Sequence, residues 1–173
     1  MLIETKRLRI RDLSAGDAIP FAQMAADGSL TDIGFDRNCG RWMGKWIEEA
    51  QELAQRDDPA AGYLAYAVTL KDTHTVIGSV GCSYYEDLQK TGITYFIGGM
   101  YRNRGYAAEA ARAYAGFFLA HYPIPELIAT VREENIASWR AAEKAGFQCR
   151  EKRRYQDLND ERALPYRFYE MTR

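Results

Sequence analysis

A mixed α/β fold is what this chain predicts, with a central, mostly antiparallel sheet of about seven strands flanked by about four helices. Three observations predict it. Several short runs alternate apolar with polar residues, other runs repeat apolar residues at helical spacing, and the two kinds interleave along the chain rather than segregating.

Leu8 and Ile10 alternate with Arg7, Arg9 and Arg11, which makes a first strand with one polar face. Ser14-Ala15-Gly16-Asp17 reads as a capping box that opens a helix. Between 41 and 55, Trp42, Trp46, Ile47, Ala50, Leu53 and Ala54 form an amphipathic helix, which Asp57-Asp58-Pro59 ends. Leu64, Tyr66, Val68 and Leu70 mark a strand, residues 71 to 74 a turn, and 75 to 85 the returning strand. The strand at 91 to 97 leads into a polar loop and then a helix carrying Ala107, Ala110, Ala111, Tyr114, Phe117, Phe118 and His121. Residues 127 to 132 form a further strand. Asn135 then caps a helix with Ser138, Ala141, Ala142 and Ala145 on one face and Gly146 at its C-terminal cap. Two long strands, 147 to 157 and 162 to 171, are expected to join at Asn159-Asp160.

The 173 residues, 47% hydrophobic and 13% aromatic, suffice for one domain spanning 1–173 with a substantial core at about 7–171. A formal net charge of −1 without a long basic run argues against nucleic acid as a partner. Cys39, Cys82 and Cys149 are isolated and show no Cys-x-x-Cys spacing, so neither a disulfide framework nor a metal site is expected, and a reducing cytoplasm fits. Residues 1 to 20 carry charges throughout and no run of eighteen apolar residues occurs, so neither a secretion signal nor a membrane span is expected. The expected assembly is a monomer or homodimer.

The richest chemistry lies in Arg102-Asn103-Arg104-Gly105-Tyr106-Ala107. A helix start leaves backbone N–H groups unpaired and carries about half a positive charge from the macrodipole, so it favours an anion. Gly105 lets the backbone approach a diphosphate, and the two arginines add charge. The pattern is neither a Gly-x-x-x-x-Gly-Lys-[Ser/Thr] loop nor a dinucleotide Gly-x-Gly-x-x-Gly.

In its order of motifs the chain resembles the GNAT superfamily of acyl-CoA-dependent N-acetyltransferases. Arg102-x-x-Gly105-x-Ala107 looks like that family's [QR]-x-x-G-x-[GA] pyrophosphate loop. Asn135-x-x-Ser138 with Glu143-Lys144-Ala145-Gly146-Phe147 looks like its second helix, and Glu4-Thr5-Lys6-Arg7-Leu8-Arg9-Ile10-Arg11 resembles the start of the ribosomal-protein N-terminal (Rim-like) branch. The resemblance implies a GNAT-like fold and acetyl-CoA as cosubstrate, with the amides of Asn103, Arg104, Gly105, Tyr106, Ala107 and Ala108 on the pyrophosphate and Arg102 and Arg104 nearby. It also implies that backbone at Phe96 and Ile97 pairs with pantetheine, that Asn135 reaches the same arm, and that Ser138 acts as general acid toward the thiolate. The implied reaction is acetyl transfer to a primary amine, a protein N-terminal α-amine or a small molecule, by direct attack in a ternary complex. An acyl-CoA-binding module without activity is the alternative, and a nucleotide-binding enzyme sharing only the loop is a third.

Two departures bear on mechanism. The glutamate that many members carry on the strand before the loop is Gly92 here, and the tyrosine common on the second helix is Ala142. Glu86 and Asp87 are substitutes for the first. Arg150 holds the place of a further Rim-like glutamate. Glu151 follows one residue later, which in a regular strand points to the opposite face and leaves it unassigned. Arg140, Lys144, His74 and His121 receive no role, while Trp42, Trp46, Tyr63, Tyr66, Tyr84 and Tyr85 are either core or acceptor groove.

Overall fold

The computed structural model describes residues 1–157 and 160–173, so Asn159, half of the expected strand junction, lies outside the described residues. The strands are β1 (Leu2–Glu4), β2 (Leu8–Asp12), β3 (Leu64–Leu70), β4 (Val76–Tyr85), β5 (Lys90–Ile97), β6 (Glu126–Arg132), β7 (Gln148–Tyr155) and β8 (Leu164–Thr172). The α-helices are α1 (Ala18–Ala25), α2 (Met43–Arg56), α3 (Tyr106–His121) and α4 (Ile136–Ala145).

All eight strands form one sheet in the order β1-β2-β3-β4-β5-β6-β8-β7. Neighbours are antiparallel except β5 and β6, which run parallel and meet in a single register pair, Gly92 opposite Ile128. The strand beyond the expected seven is β1. Three residues are too few to show alternation.

Each face of the sheet has its own core. On one, Ala110, Ala111, Tyr114, Ala115 and Phe118 of α3 and Ala142 and Ala145 of α4 pack on Leu8, Ile10, Val80, Ile93, Leu127 and Ala129. The small alanines bring helix close to sheet, and the deeply buried Tyr114 donates its hydroxyl to Cys82 Sγ at 3.1 Å. On the other face, Phe21 and Ala25 of α1 and Met43, Ile47 and Ala50 of α2 cover Ala65, Ala67, Val76 and Phe96. These helices pack against β3 and β4, whereas α3 and α4 pack against β5, β6 and β7 from the opposite side. Beyond Phe96 at the end of β5, no helix among the described residues packs on the second face of β5, β6, β8 and β7.

Local chemistry explains the helix ends. Ser14 N–H donates to Asp17 Oδ2 at 2.7 Å, the reach-back half of a capping box, but the first turn is a 3-10 helix and α1 starts only at Ala18. Arg11 closes on the same carboxylate with two bonds of 2.8 Å. The left-handed Asp57 (φ 51°) ends α2, and its carboxylate meets both His121 Nε2 and the Tyr122 hydroxyl at 2.6 Å, tying the ends of α2 and α3 together. His121 thus acquires a structural partner.

Candidate active site

The site begins where β5 and β6 part. Past Gly92 and Ile128 no further register pair joins them, so the β5 edge toward β6 is open. Which residues expose their polar groups there follows from the ladder. Phe96 lies opposite Ser79, and Gly98 N–H bonds the Ile77 carbonyl at 2.9 Å. Alternation assigns the groups of Phe96 to β4 and turns those of Tyr95 and Ile97 toward the opening. The expectation for Phe96 is corrected accordingly, since its neighbour Tyr95 takes the outward position.

The loop after β5 is sharply folded. Asn103 (φ 62°) and Gly105 (φ 80°) are both left-handed, and α3 opens at Tyr106. The first return bond into the helix comes from Glu109 N–H to the Gly105 carbonyl at 3.1 Å, so the amides of Tyr106, Ala107 and Ala108 have no intrahelical acceptor. A Cβ on Gly105 would meet only an Arg7 guanidinium nitrogen, at 3.4 Å. Unpaired amides at a helix start favour an anion such as a diphosphate.

The two loop arginines divide their work. Arg102 Nε donates to the Ile97 carbonyl at 3.0 Å and another guanidinium nitrogen to the Ser29 carbonyl at 2.8 Å, so this side chain staples the loop to β5 and to the segment after α1. The resemblance sets this side chain near the pyrophosphate, and the structure shows it anchoring the loop. Arg104 is exposed, and its carbonyl accepts from Arg7 at 2.8 Å. The Arg7 guanidinium lies 4.6 Å over the Tyr106 ring, and with Thr5 it holds Glu109 in the first turn of α3. No short motif signalled this contact, which spans about a hundred residues of sequence.

Across the opening stands α4. Asn135 Oδ1 accepts from Ser138 N–H at 3.1 Å, so its carbonyl oxygen serves as the cap and its NH2 group remains as a donor. Ser138 Oγ meets the Tyr95 hydroxyl at 3.3 Å, while that hydroxyl donates to the Ser138 carbonyl at 2.8 Å. Burial pushes the Tyr95 phenol up and the Ser138 contact offsets this only in part, so the ring stays protonated. Sequence reasoning missed Tyr95 because its partner is forty-three positions away. Ala142 is fully buried in the core formed with the sheet, and it carries no acidic group.

The uncovered face carries aromatic and polar groups. The Tyr85 ring lies over Gly92, and its hydroxyl accepts from Thr130 Oγ1 at 3.5 Å. Burial, with Asp157 and Asp87 nearby, pushes the Tyr85 phenol up as well. Thr94 Oγ1 is buried without a hydrogen bond of good geometry, although the Tyr63 hydroxyl lies close. Glu86 and Asp87 sit in an exposed turn, where Asp87 faces Tyr155. Trp46 packs edge-on against Phe21 and Phe35 and Tyr66 is buried, so both belong to the core, whereas Trp42 is partly exposed.

Glu151 requires a correction. The register of β7 against β8 slips between Cys149 and Glu151, a β-bulge that uses up Arg150 and sets Glu151 opposite Phe168. Because Phe168 pairs with Thr130, Glu151 shares the uncovered face. Its carboxylate meets Arg153 Nε at 3.2 Å, and Arg153 in turn covers the Phe168 ring at 4.3 Å.

An open strand edge thus runs into an amide-rich helix start. Residues 7–148 match the acetyltransferase (GNAT) domain family, and the chain belongs to that family. An uncharacterized N-acetyltransferase of Bacillus subtilis, YjdG, is 24% identical over 157 residues, covering 85% of this chain and 89% of that one. Among solved structures, a GNAT-family acetyltransferase of Bacillus anthracis matches with a TM-score of 0.81 at 20% identity, covering 99% of this chain and 98% of the other. A RimL ribosomal-protein alpha-N-acetyltransferase in complex with coenzyme A matches with a TM-score of 0.81 at 13% identity over 99% and 98% of the two chains. The protein is an acetyltransferase of mixed α/β architecture. No helix among the described residues is long and apolar enough to cross a membrane, and none of their His, Cys, Asp and Glu side chains group as metal ligands.

Proposed function

We propose that this single-domain protein transfers an acetyl group from acetyl-CoA to a primary amine, the α-amine of a protein N-terminus or a small molecule, by direct attack within a ternary complex. The observation that carries this reading is the single Gly92–Ile128 bridge, beyond which the free edge of β5 leads straight to the unpaired amides at the start of α3. Tyr106, Ala107 and Ala108 hold the pyrophosphate with help from Asn103, Arg104 and Gly105. Tyr95 and Ile97 offer backbone to pantetheine, and Asn135 donates to the same arm.

The acceptor lies on the uncovered face, over Tyr85, Thr130 and Phe168, with Glu151 orienting its ammonium. Acetyl-CoA supplies the activated acyl group. The amine must be neutral to attack, which costs about 1.4 kcal/mol at pH 7 for an α-amine and about 4.6 kcal/mol for a lysine. With Gly92 in place of a carboxylate, the site suits the first. Ser138 Oγ–H, which donates to the Tyr95 hydroxyl oxygen, swings from that partner to hydrogen-bond the leaving sulfur, and the thiolate takes up the proton that the attacking amine releases.

Gly92 and Ala142 also favour a second reading, an acyl-CoA-binding module without turnover. Release of free thiol from acetyl-CoA, followed across a panel of N-terminal peptides and small amines, separates the two. Turnover that falls in Ser138→Ala supports the enzyme, and tight binding without turnover on any amine supports the module.

A further inference from the structure

The carboxylate of Glu109 stands where an anion site should not have one. It belongs to the fourth residue of α3, and helical side chains lean toward the N-terminus, so an unpartnered carboxylate here would bond the free amides and repel phosphate. Both of its oxygens are instead turned away. Oε1 accepts from Thr5 Oγ1 at 2.6 Å and from Arg7 N–H at 3.0 Å, and Oε2 accepts from Arg7 Nε at 2.6 Å. The same guanidinium donates to the Arg104 carbonyl at 2.8 Å, fixing the peptide between the two left-handed residues of the loop. Thr5 is itself fixed, since its Oγ1 accepts from Leu8 N–H at 2.8 Å.

We propose that Thr5 and Arg7 are positioning residues for cofactor binding, which neutralise Glu109 and hold it out of the phosphate site while Arg7 pins the loop. The inference rests on the acetyl-CoA reading above and deepens it. Burial would push the Glu109 carboxyl up, but the bonds from Thr5 and Arg7 outweigh it and keep the group below its ordinary range, hence charged. Losing Arg7 therefore leaves a bare negative charge beside the pyrophosphate as well as a looser loop.

The two effects separate in a double variant read against two ligands. By calorimetry, Arg7→Ala is expected to weaken CoA binding roughly tenfold. KM for S-acetylpantetheine, which lacks the phosphates, should barely move. Adding Glu109→Gln to Arg7→Ala should recover most of the lost CoA affinity, which a purely structural brace would not allow. Thr5→Val, which keeps the guanidinium, should weaken CoA in the same direction by less, and it carries the test if Arg7→Ala does not fold. Unchanged CoA affinity in Arg7→Ala or Thr5→Val, equal losses for both ligands, or no recovery in the double variant overturns the proposal. Failure of the unsubstituted protein to bind CoA at all overturns the acetyl-CoA reading, and this inference with it.

Discussion

The ring of Tyr85 lies across Gly92 so closely that a Cβ on the glycine would stand 2.5 Å from Cε2 of the tyrosine. The place where many family members carry a carboxylate is filled here from the neighbouring strand.

Gly92→Ala should accordingly destabilise the fold by about 1–3 kcal/mol through overpacking. In a Tyr85→Ala background the same change should cost markedly less, and denaturant melts of the four proteins measure the coupling. Tyr85→Ala/Gly92→Glu opens the space and fills it with a base. It should raise kcat/KM for lysine-type amines relative to α-amines, and an unchanged ratio would remove the carboxylate argument.

At Gly105 the obstacle to a side chain is the backbone angle, since space is available apart from the Arg7 nitrogen at 3.4 Å. Gly105→Val, at φ 80°, should reshape the loop and weaken CoA binding by about 1 kcal/mol or more through displaced amides. Calorimetric titration checks this, and equal affinity would refute the loop assignment.

Asp17 is only 3% exposed and takes two bonds from Arg11 and one from Ser14 N–H. Asp17→Asn should cost about 2–3 kcal/mol by denaturant unfolding. Burial pushes the carboxyl up, but Arg11 and Ser14 prevail and hold it below its ordinary 3.8. A depressed folded-state value means that its stabilisation is full above about pH 4 and fades as pH falls through the folded pKa. The variant should show a flatter stability curve in that acid window.

The three thiols should differ sharply toward a maleimide. Cys82 is fully buried, bonded by Tyr114 and pushed up to about 12 by burial, and Cys39 is buried too, whereas Cys149 on β7 is exposed. One label per native chain and three per unfolded chain are expected by mass spectrometry.

The helix ends around the loop were legible because their signals are local. Gly105 at a helix start, Asn135 as a cap and Gly146 as a stop each act within a few residues. The uncovered sheet face was less so. Glu151 changes face because one extra residue, Arg150, bulges β7, and a period-two reading has no means of seeing an irregularity that the partner strand sets. Likewise the charge of Arg102 is read directly from the sequence, whereas its acceptors, the carbonyls of Ile97 and Ser29, the latter seventy-three positions away, are set by the fold. Tyr95, within the strand expected at 91 to 97, gains its meaning only where the fold sets Ser138 beside it.

With one bridge between β5 and β6, the backbone pairing of the sheet falls into two plates, β1–β5 and β6–β8, spanned by α3, which packs on β2, β4, β5 and β6. Plates joined so narrowly should breathe as separate cooperative units, and native-state hydrogen exchange would show this as distinct opening free energies on the two sides of Gly92. The amides of Tyr95 and Ile97 would exchange early in the free protein and slow when pantetheine pairs with them, so that the cosubstrate would act as a temporary strand between the plates.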